Sequence, residues 1–304
     1  MSTRITTEMA INSTLADINN AQVALERSQR ELSSGKSLLE PSDNPVGTSQ
    51  AIMLQSALDG LTSYERSAHD GGAWLTAASG ALSSLSEITQ RVRELMLQAA
   101  NGVNSQSDLA DIADEVEQLT EMAKQDANTQ YAGQYIFSGT LTGTAPYEQG
   151  ASDAYHGNAG AVVRSIGPGA TLNVTVSLNS LLGEGQVAAD GKLLDTLRTV
   201  AQNLRTGTHE ALQAVAGENL KALDGNVETL DNLEAEVGAA SDQVTSALGR
   251  VEDLQGTTTG QLSNVQDANF AQVSMEFSSQ QAAYEAALRA SATIVQESLL
   301  EFLH

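Results

Sequence analysis

Apolar residues at heptad spacing run through both ends of this chain, and the stripes they form are narrow. Near the start, Ile11, Leu15, Ile18, Leu25 and Leu32 take the inward positions, while Gln22 and Gln29 fill the intervening ones. Near the end, Phe270, Val273, Phe277, Tyr284, Leu288, Val295, Leu299 and Phe302 form a second stripe. Such spacing predicts amphipathic helices that meet along a thin seam. An isolated pair of helices of about 30 residues, roughly 45 Å long, buries too little surface to be rigid. The two ends therefore call for a further partner, and identical ends of neighbouring copies are the expected one, with folding coupled to assembly. An ordinary intramolecular bundle is the competing reading of the same pattern.

Between the ends the layout is nearly palindromic. Gly35 predicts a helix C-cap, and Pro41 and Pro45 bracket a stretch that cannot stay helical, so a bend is expected near 35–47. Helical patterning resumes to about residue 100 through Leu82, Leu85, Ile88, Val92 and Leu95, with Gly71-Gly72 and Gly80 as candidate interruptions. After a loop at 101–106, Ser105 and Asp108 form a loose capping box before another helix. Glycine becomes frequent at 135–190, where Ala161–Ile166 and Thr171–Leu178 alternate as strands do. Helical patterning returns near 191 and runs through Leu223, Val227, Leu230, Val237, Val244 and Leu248, and Gly256 to Gly260 is expected to break it again.

The fold class expected is mainly α: long antiparallel helices forming a terminal coiled coil and a helical rod body, with a small β-rich inserted outer domain. The expected divisions are 1–40 with 265–304, 41–136 with 191–264, and 137–190. Aromatic residues make up only 4% of the 304 positions, which suits thin helix seams better than a thick globular core.

Composition excludes several function classes. There is no cysteine, so thiolate nucleophiles, disulfides, iron–sulfur clusters and cysteine-ligated zinc are ruled out. A net charge of −23 argues against a nucleic-acid partner, which needs clustered Lys and Arg. The acid concentrates in 207–304, where Lys221, Arg250 and Arg289 are the only Lys and Arg, and it reads as solvated helix face. No apolar run approaches membrane-spanning length, and the start lacks the basic stretch and apolar core of a secretory signal, so neither a membrane partner nor a cleaved signal peptide is expected. His69, His156, His209 and His304 lack the i, i+4 pairing of a metal site. Asp108, Asp111, Asp114, Glu115 and Glu117 lack the glycine and ligand order of a calcium loop. No catalytic constellation, cofactor or metal is expected.

Several stretches then resemble one family. LSSGKSLLEPSDNPVG at 32–47 resembles the turn after the first helix of flagellins and hook-associated proteins. Lys36 and the run Pro41-Ser42-Asp43-Asn44-Pro45 are nearer to the hook-filament junction members of that family than to its filament subunits. YIFSGT at 135–140 with Thr144-Ala145-Pro146-Tyr147 is similar to the point where the outer β domain of those members begins. LSNVQDANFAQ at 262–272 and SLLEFL at 298–303 resemble the opening and ending of the family's C-terminal helix, although Gln266, Asn269 and Phe270 stand where acidic residues and Tyr are more usual.

The resemblance implies a structural, non-enzymatic part of the bacterial flagellum. It implies a ring of identical subunits between the first hook-associated protein and flagellin. It also implies export through the flagellar type III channel with a helical chaperone on the C-terminal helix, to an extracellular place in the flagellum. Ile11, Leu15, Ile18, Leu25, Leu32, Phe277, Tyr284, Leu288, Val295 and Leu299 are then the expected assembly contacts, and Gly35, Pro41, Asp43 and Pro45 the turn that orients them. The alternatives are a flagellin-type filament subunit and a secreted binding module or adhesin that uses the β insert.

Overall fold

The computed structural model describes residues 7–101, 104–150, 152–185 and 190–302, with side chains described for Met9 and, within those spans, from Asn12 to Ala292. It is mainly helical, as the apolar periodicity predicts. Three helices open it: α1 (Thr7–Ser34), α2 (Pro45–Ala100) and α3 (Gln106–Ala127). Four short strands follow, β1 (Gln130–Tyr131), β2 (Gln134–Tyr135), β3 (Val163–Gly167) and β4 (Ala170–Asn173), joined as the antiparallel pairs β1-β2 and β3-β4. The remainder is α4 (Asn179–Leu182), α5 (Leu193–Thr206), α6 (His209–Ala214), a π-helical turn at Val215–Asn219, α7 (Leu220–Gln266) and α8 (Phe270–Phe302).

Two expected interruptions are absent. α2 runs unbroken through Gly71, Gly72 and Gly80. A helical glycine costs about 1 kcal/mol against alanine, but here close packing uses two of them. A Cβ on Gly71 would lie 3.4 Å from the side chains of Arg164 and Val174, and one on Gly72 would lie 3.4 Å from Val244. Likewise α7 continues through Gly256 and Gly260, and the helix stops only at Gln266. Isolated glycines lower helix propensity without by themselves ending a long helix, and in α7 the helix continues even through the threonines at 257–259 between them.

The strand alternation has a physical cause beyond pairing. β3 and β4 form a hairpin turned at Gly169, which has φ +71. The ladder ends at Asn173, yet Val174, Val176 and Leu178 stay buried on alternate positions of the extended chain that follows. There, Val162 and Val174 are joined by one backbone bond of 2.9 Å.

The described residues form two compact units, one reaching to Gly60 and resuming at Leu254, the other spanning Leu61–Asp253. In the second, α2, α3, α5 and α7 share one core built from Trp74, Leu85, Ile112, Leu197, Leu230 and their neighbours. Trp74 is 1% exposed, meets Tyr131 edge to face and carries the Arg164 guanidinium over its ring. Arg164 also pairs with Asp70 at 2.7 Å, so one side chain pins β3 to α2. The terminal unit is built differently. Among its described residues only Ser28, Gly47 and Val273 are buried.

Candidate assembly interface

In the terminal unit α1 and α8 pack antiparallel, and Ser28 on α1 hydrogen-bonds Gln280 on α8. Ile18, Leu25 and Leu32 of α1 and Phe277 and Tyr284 of α8 are half-buried on these paired helices. Leu15 and Leu288 are not: they are 52% and 43% exposed. Ile11, Val295 and Leu299 lie outside the described side chains. One row of heptad positions therefore joins the pair, while a second row faces outward. Met9, Val23, Phe270 and Met275 are also exposed large apolar residues of these helices.

The turn after α1 is held by local rules. Gly35 takes φ +69, a left-handed conformation that favours glycine, and its N–H donates to the Glu31 carbonyl at 2.9 Å to close the helix. Pro41 sits second in a β-turn closed by the Asp43 N–H on the Glu40 carbonyl at 3.0 Å. The Asp43 carboxylate accepts the Glu40 N–H at 3.2 Å and pairs with Arg27 at 3.3 Å. Hydrogen bonding to Glu31, then the charge of Asp43, holds the Arg27 guanidinium above its ordinary pKa. Asn44 caps α2, its side chain accepting from Gly47 N–H at 2.9 Å and its carbonyl from Thr48 N–H at 2.8 Å, and Pro45 fills the first helical position.

This turn is clasped to the one before α8. Ser37 N–H donates to the Gln266 carbonyl at 2.8 Å, and Ala268 N–H donates to the Gly35 carbonyl at 2.9 Å. Lys36 and Asp267 are the bridged residues between these bonds. Asn269 then caps α8, accepting from Gln272 N–H at 3.3 Å. Gln266 contributes its main-chain carbonyl to the clasp, and Asn269 its side chain to the cap. Sequence reasoning singled out Gly35, Pro41, Asp43 and Pro45 but missed Ser37, Asn44 and Asn269. The Asn-before-helix signal marked the last two, whereas the clasp had no local signal.

Beside the clasp, Leu38, Leu39, Pro41, Ala51 and Ile52 line a groove of about 370 Å³, and Val46, Ile52 and Met53 on the first turns of α2 are exposed. Lys36, Glu40, Thr48, Gln55 and Gln266 complete the lining, and the exposed apolar side chains beside them were not anticipated. Elsewhere, His69, His156 and His209 are exposed. Among the described residues no group of His, Asp and Glu could hold a metal ion, and no helix is long and apolar enough to cross a membrane. His304 lies outside the described residues. Of the acidic run on α3, Asp114 and Glu117 pair with Arg205, and Glu115 pairs with Arg91.

The bacterial flagellin N-terminal helical region matches residues 5–142, and the bacterial flagellin C-terminal helical region matches residues 220–303. The chain is 25% identical to flagellar hook-associated protein 3 of Salmonella typhimurium, over 94% of this chain and 95% of that one. It is 30% identical to a flagellin of Escherichia coli O127:H6, over 69% of this chain but 39% of that one. The fold is shared with the crystal structure of Xanthomonas campestris FlgL, at a TM-score of 0.60 and 16% identity, covering 69% of this chain and 99% of that one.

Proposed function

We propose, from the premise that this chain belongs to the flagellin and hook-associated protein family and is a structural part of the bacterial flagellum, that it is the adaptor joining hook to filament. Copies associate in a ring through their terminal helices, with the first hook-associated protein on one side and flagellin on the other. A helical export chaperone covers α8 before assembly, and the chain leaves the cell through the flagellar type III channel.

The observation that carries this reading is the contrast in burial. The terminal unit buries only Ser28, Gly47 and Val273 among its described residues and exposes Leu15, Val23, Ile52, Phe270 and Leu288. Apolar surface left in water at about 25 cal/mol per Å² is a driving force for association. Leu15 and Leu288, and with them Ile11, Val295 and Leu299, are assigned to contacts between copies, while Ile18, Leu25, Leu32, Phe277 and Tyr284 hold α1 to α8. Gly35, Pro41, Asp43 and Pro45 set the direction in which the helices leave the turn. The near-equal span shared with hook-associated protein 3, against 39% of a flagellin, favours the adaptor over the filament subunit.

The test is complementation of a strain lacking the gene with a chain carrying Leu15→Asp and Leu288→Asp. Unchanged Trp74 fluorescence should report an intact core, while hooks stay bare and flagellin is shed as monomer. Filaments of normal number and attachment on that strain would reject the interface. Long filaments from the purified wild-type chain would instead favour the filament subunit.

A further inference from the structure

Segment 147–155 leaves and rejoins the core at Tyr147 and Tyr155, which face each other as an isolated antiparallel bridge. Both ends are anchored. Asn128 holds Tyr147 through its amide at 2.6 and 3.0 Å, and the Tyr147 hydroxyl donates to the Gly183 carbonyl at 2.6 Å. Between these ends Gly150, Ser152 and Asp153 meet Lys124 of α3, which is 1% exposed.

Four oxygens surround the Lys124 Nζ. They are Asp153 Oδ1 at 2.7 Å, Glu121 Oε1 at 3.0 Å, and the carbonyls of Gly150 at 2.5 Å and Ser152 at 3.1 Å. Glu121 Oε2 also accepts the Gly150 N–H at 2.8 Å, and Asp153 pairs on its other oxygen with Arg198 of α5. Two carboxylates thus face two cations, which balances the charge that burial would otherwise penalise.

One carboxylate from α3, and one carboxylate and two backbone carbonyls from the loop, form an oxygen cage of the kind that surrounds a hard cation. We propose that the Lys124 ammonium is a tethered cation occupying that cage, locking segment 147–155 onto α3 and α5 with no free ion. An ammonium has three donors and four oxygens lie within reach, so every donor has a partner and one is shared between two oxygens. Without it the Gly150 and Ser152 carbonyls lose their cation and Asp153 keeps only Arg198. The competing role is a space-filling one, in which the lysine stem packs and the charge is incidental. The proposal is independent of the flagellar assignment.

Hydrogen exchange on the full chain separates the two. Lys124→Met keeps the stem volume and removes the charge. Exchange across 147–155 should then rise roughly tenfold or more, with α2 and α7 unchanged. Wild-type exchange in that variant overturns the proposal. If the variant fails to fold, Asp153→Asn, nearly isosteric, replaces it: selective opening of the same segment is expected, and wild-type exchange again overturns it. In Lys124→Ala, ethylammonium chloride should restore protection and tetramethylammonium chloride at equal ionic strength should not. Equal effects of the two salts would show that no cation is required.

Discussion

The backbone N–H of Ser37 donates to the carbonyl of Gln266 at 2.8 Å, joining residues 229 positions apart. With the Ala268 N–H on the Gly35 carbonyl, and the Ser37 hydroxyl donating to the same Gln266 carbonyl at 3.2 Å, this fixes the end of α1 against the start of α8. Such bonds contribute about 1 kcal/mol each. In a unit with so little buried surface they are a large share of what holds the ends together.

Gly35 and Gly256 should therefore respond to alanine with opposite signs. At Gly35 an added Cβ meets nothing within 4 Å, so the whole penalty is the left-handed backbone at φ +69, about 1–2 kcal/mol. At Gly256, inside α7 and with open space around it, alanine should stabilise by about 0.5–1 kcal/mol through helix propensity and a less flexible unfolded chain. Helicity against urea, followed by circular dichroism, measures both. A destabilising Gly256→Ala would mean that α7 breaks at that glycine.

What could be read from the sequence followed how local the rule was. The Ser105 and Asp108 capping box, the Gly35 stop and the proline-bracketed turn each depend on neighbours within four residues, and all appear. Gly71 and Gly256 were misread because their effect depends on what packs against the helix or flanks it. Leu15 and Ile18 share one heptad pattern, yet only Ile18 is half-buried, since a single partner helix covers one side of a stripe and spacing does not say which. Lys124 and Asp153 were invisible for another reason: a lone lysine on a helix reads as solvated until a distant loop closes over it.

Gly139 should be the least replaceable glycine of the insert. It has φ +67, and a Cβ there would sit 2.1 Å from the Asn158 carbonyl oxygen. Asn158 cannot retreat cheaply, because its side chain accepts the Thr140 and Gly160 N–H groups at 2.9 and 3.0 Å. Gly133 offers the control, with φ +78 and nothing within 4 Å. Gly133→Ala should cost about 1–2 kcal/mol, whereas Gly139→Ala should cost clearly more, since collision adds to the backbone strain. Thermal denaturation of the two variants side by side checks the order.

Ser105 and Asp108 make a pH-dependent cap. The Asp108 carboxylate accepts the Ser105 N–H and hydroxyl, both at 2.8 Å, and these bonds, backbone first, hold it below the usual carboxylate range. A depressed folded pKa adds stability above the unfolded value and loses it as pH falls through the folded one. Ser105→Ala should raise the Asp108 pKa toward its ordinary value, as read by NMR titration. It should also lower the denaturation midpoint at neutral pH, by a margin that narrows in acid. A margin independent of pH would show that the charge plays no part.

Trp74 is the only tryptophan, and it lies in the core of the unit spanning Leu61–Asp253, so its fluorescence reports that unit alone, while far-ultraviolet ellipticity reports both. The terminal unit has the clasp, a thin seam and three buried residues to oppose the entropy of ordering two long helices, about 1–2 kcal/mol per residue. Its helices should therefore melt first in the isolated chain at low concentration. In a urea titration ellipticity should fall in a first phase while Trp74 emission stays blue-shifted, and then both should fall together. Under the proposed interface, in which association between copies covers Leu15 and Leu288, raising the concentration should delay only the first phase. Coincident transitions at every concentration would mean that α1 and α8 are stable without partners, and the assembly reading would lose its physical basis.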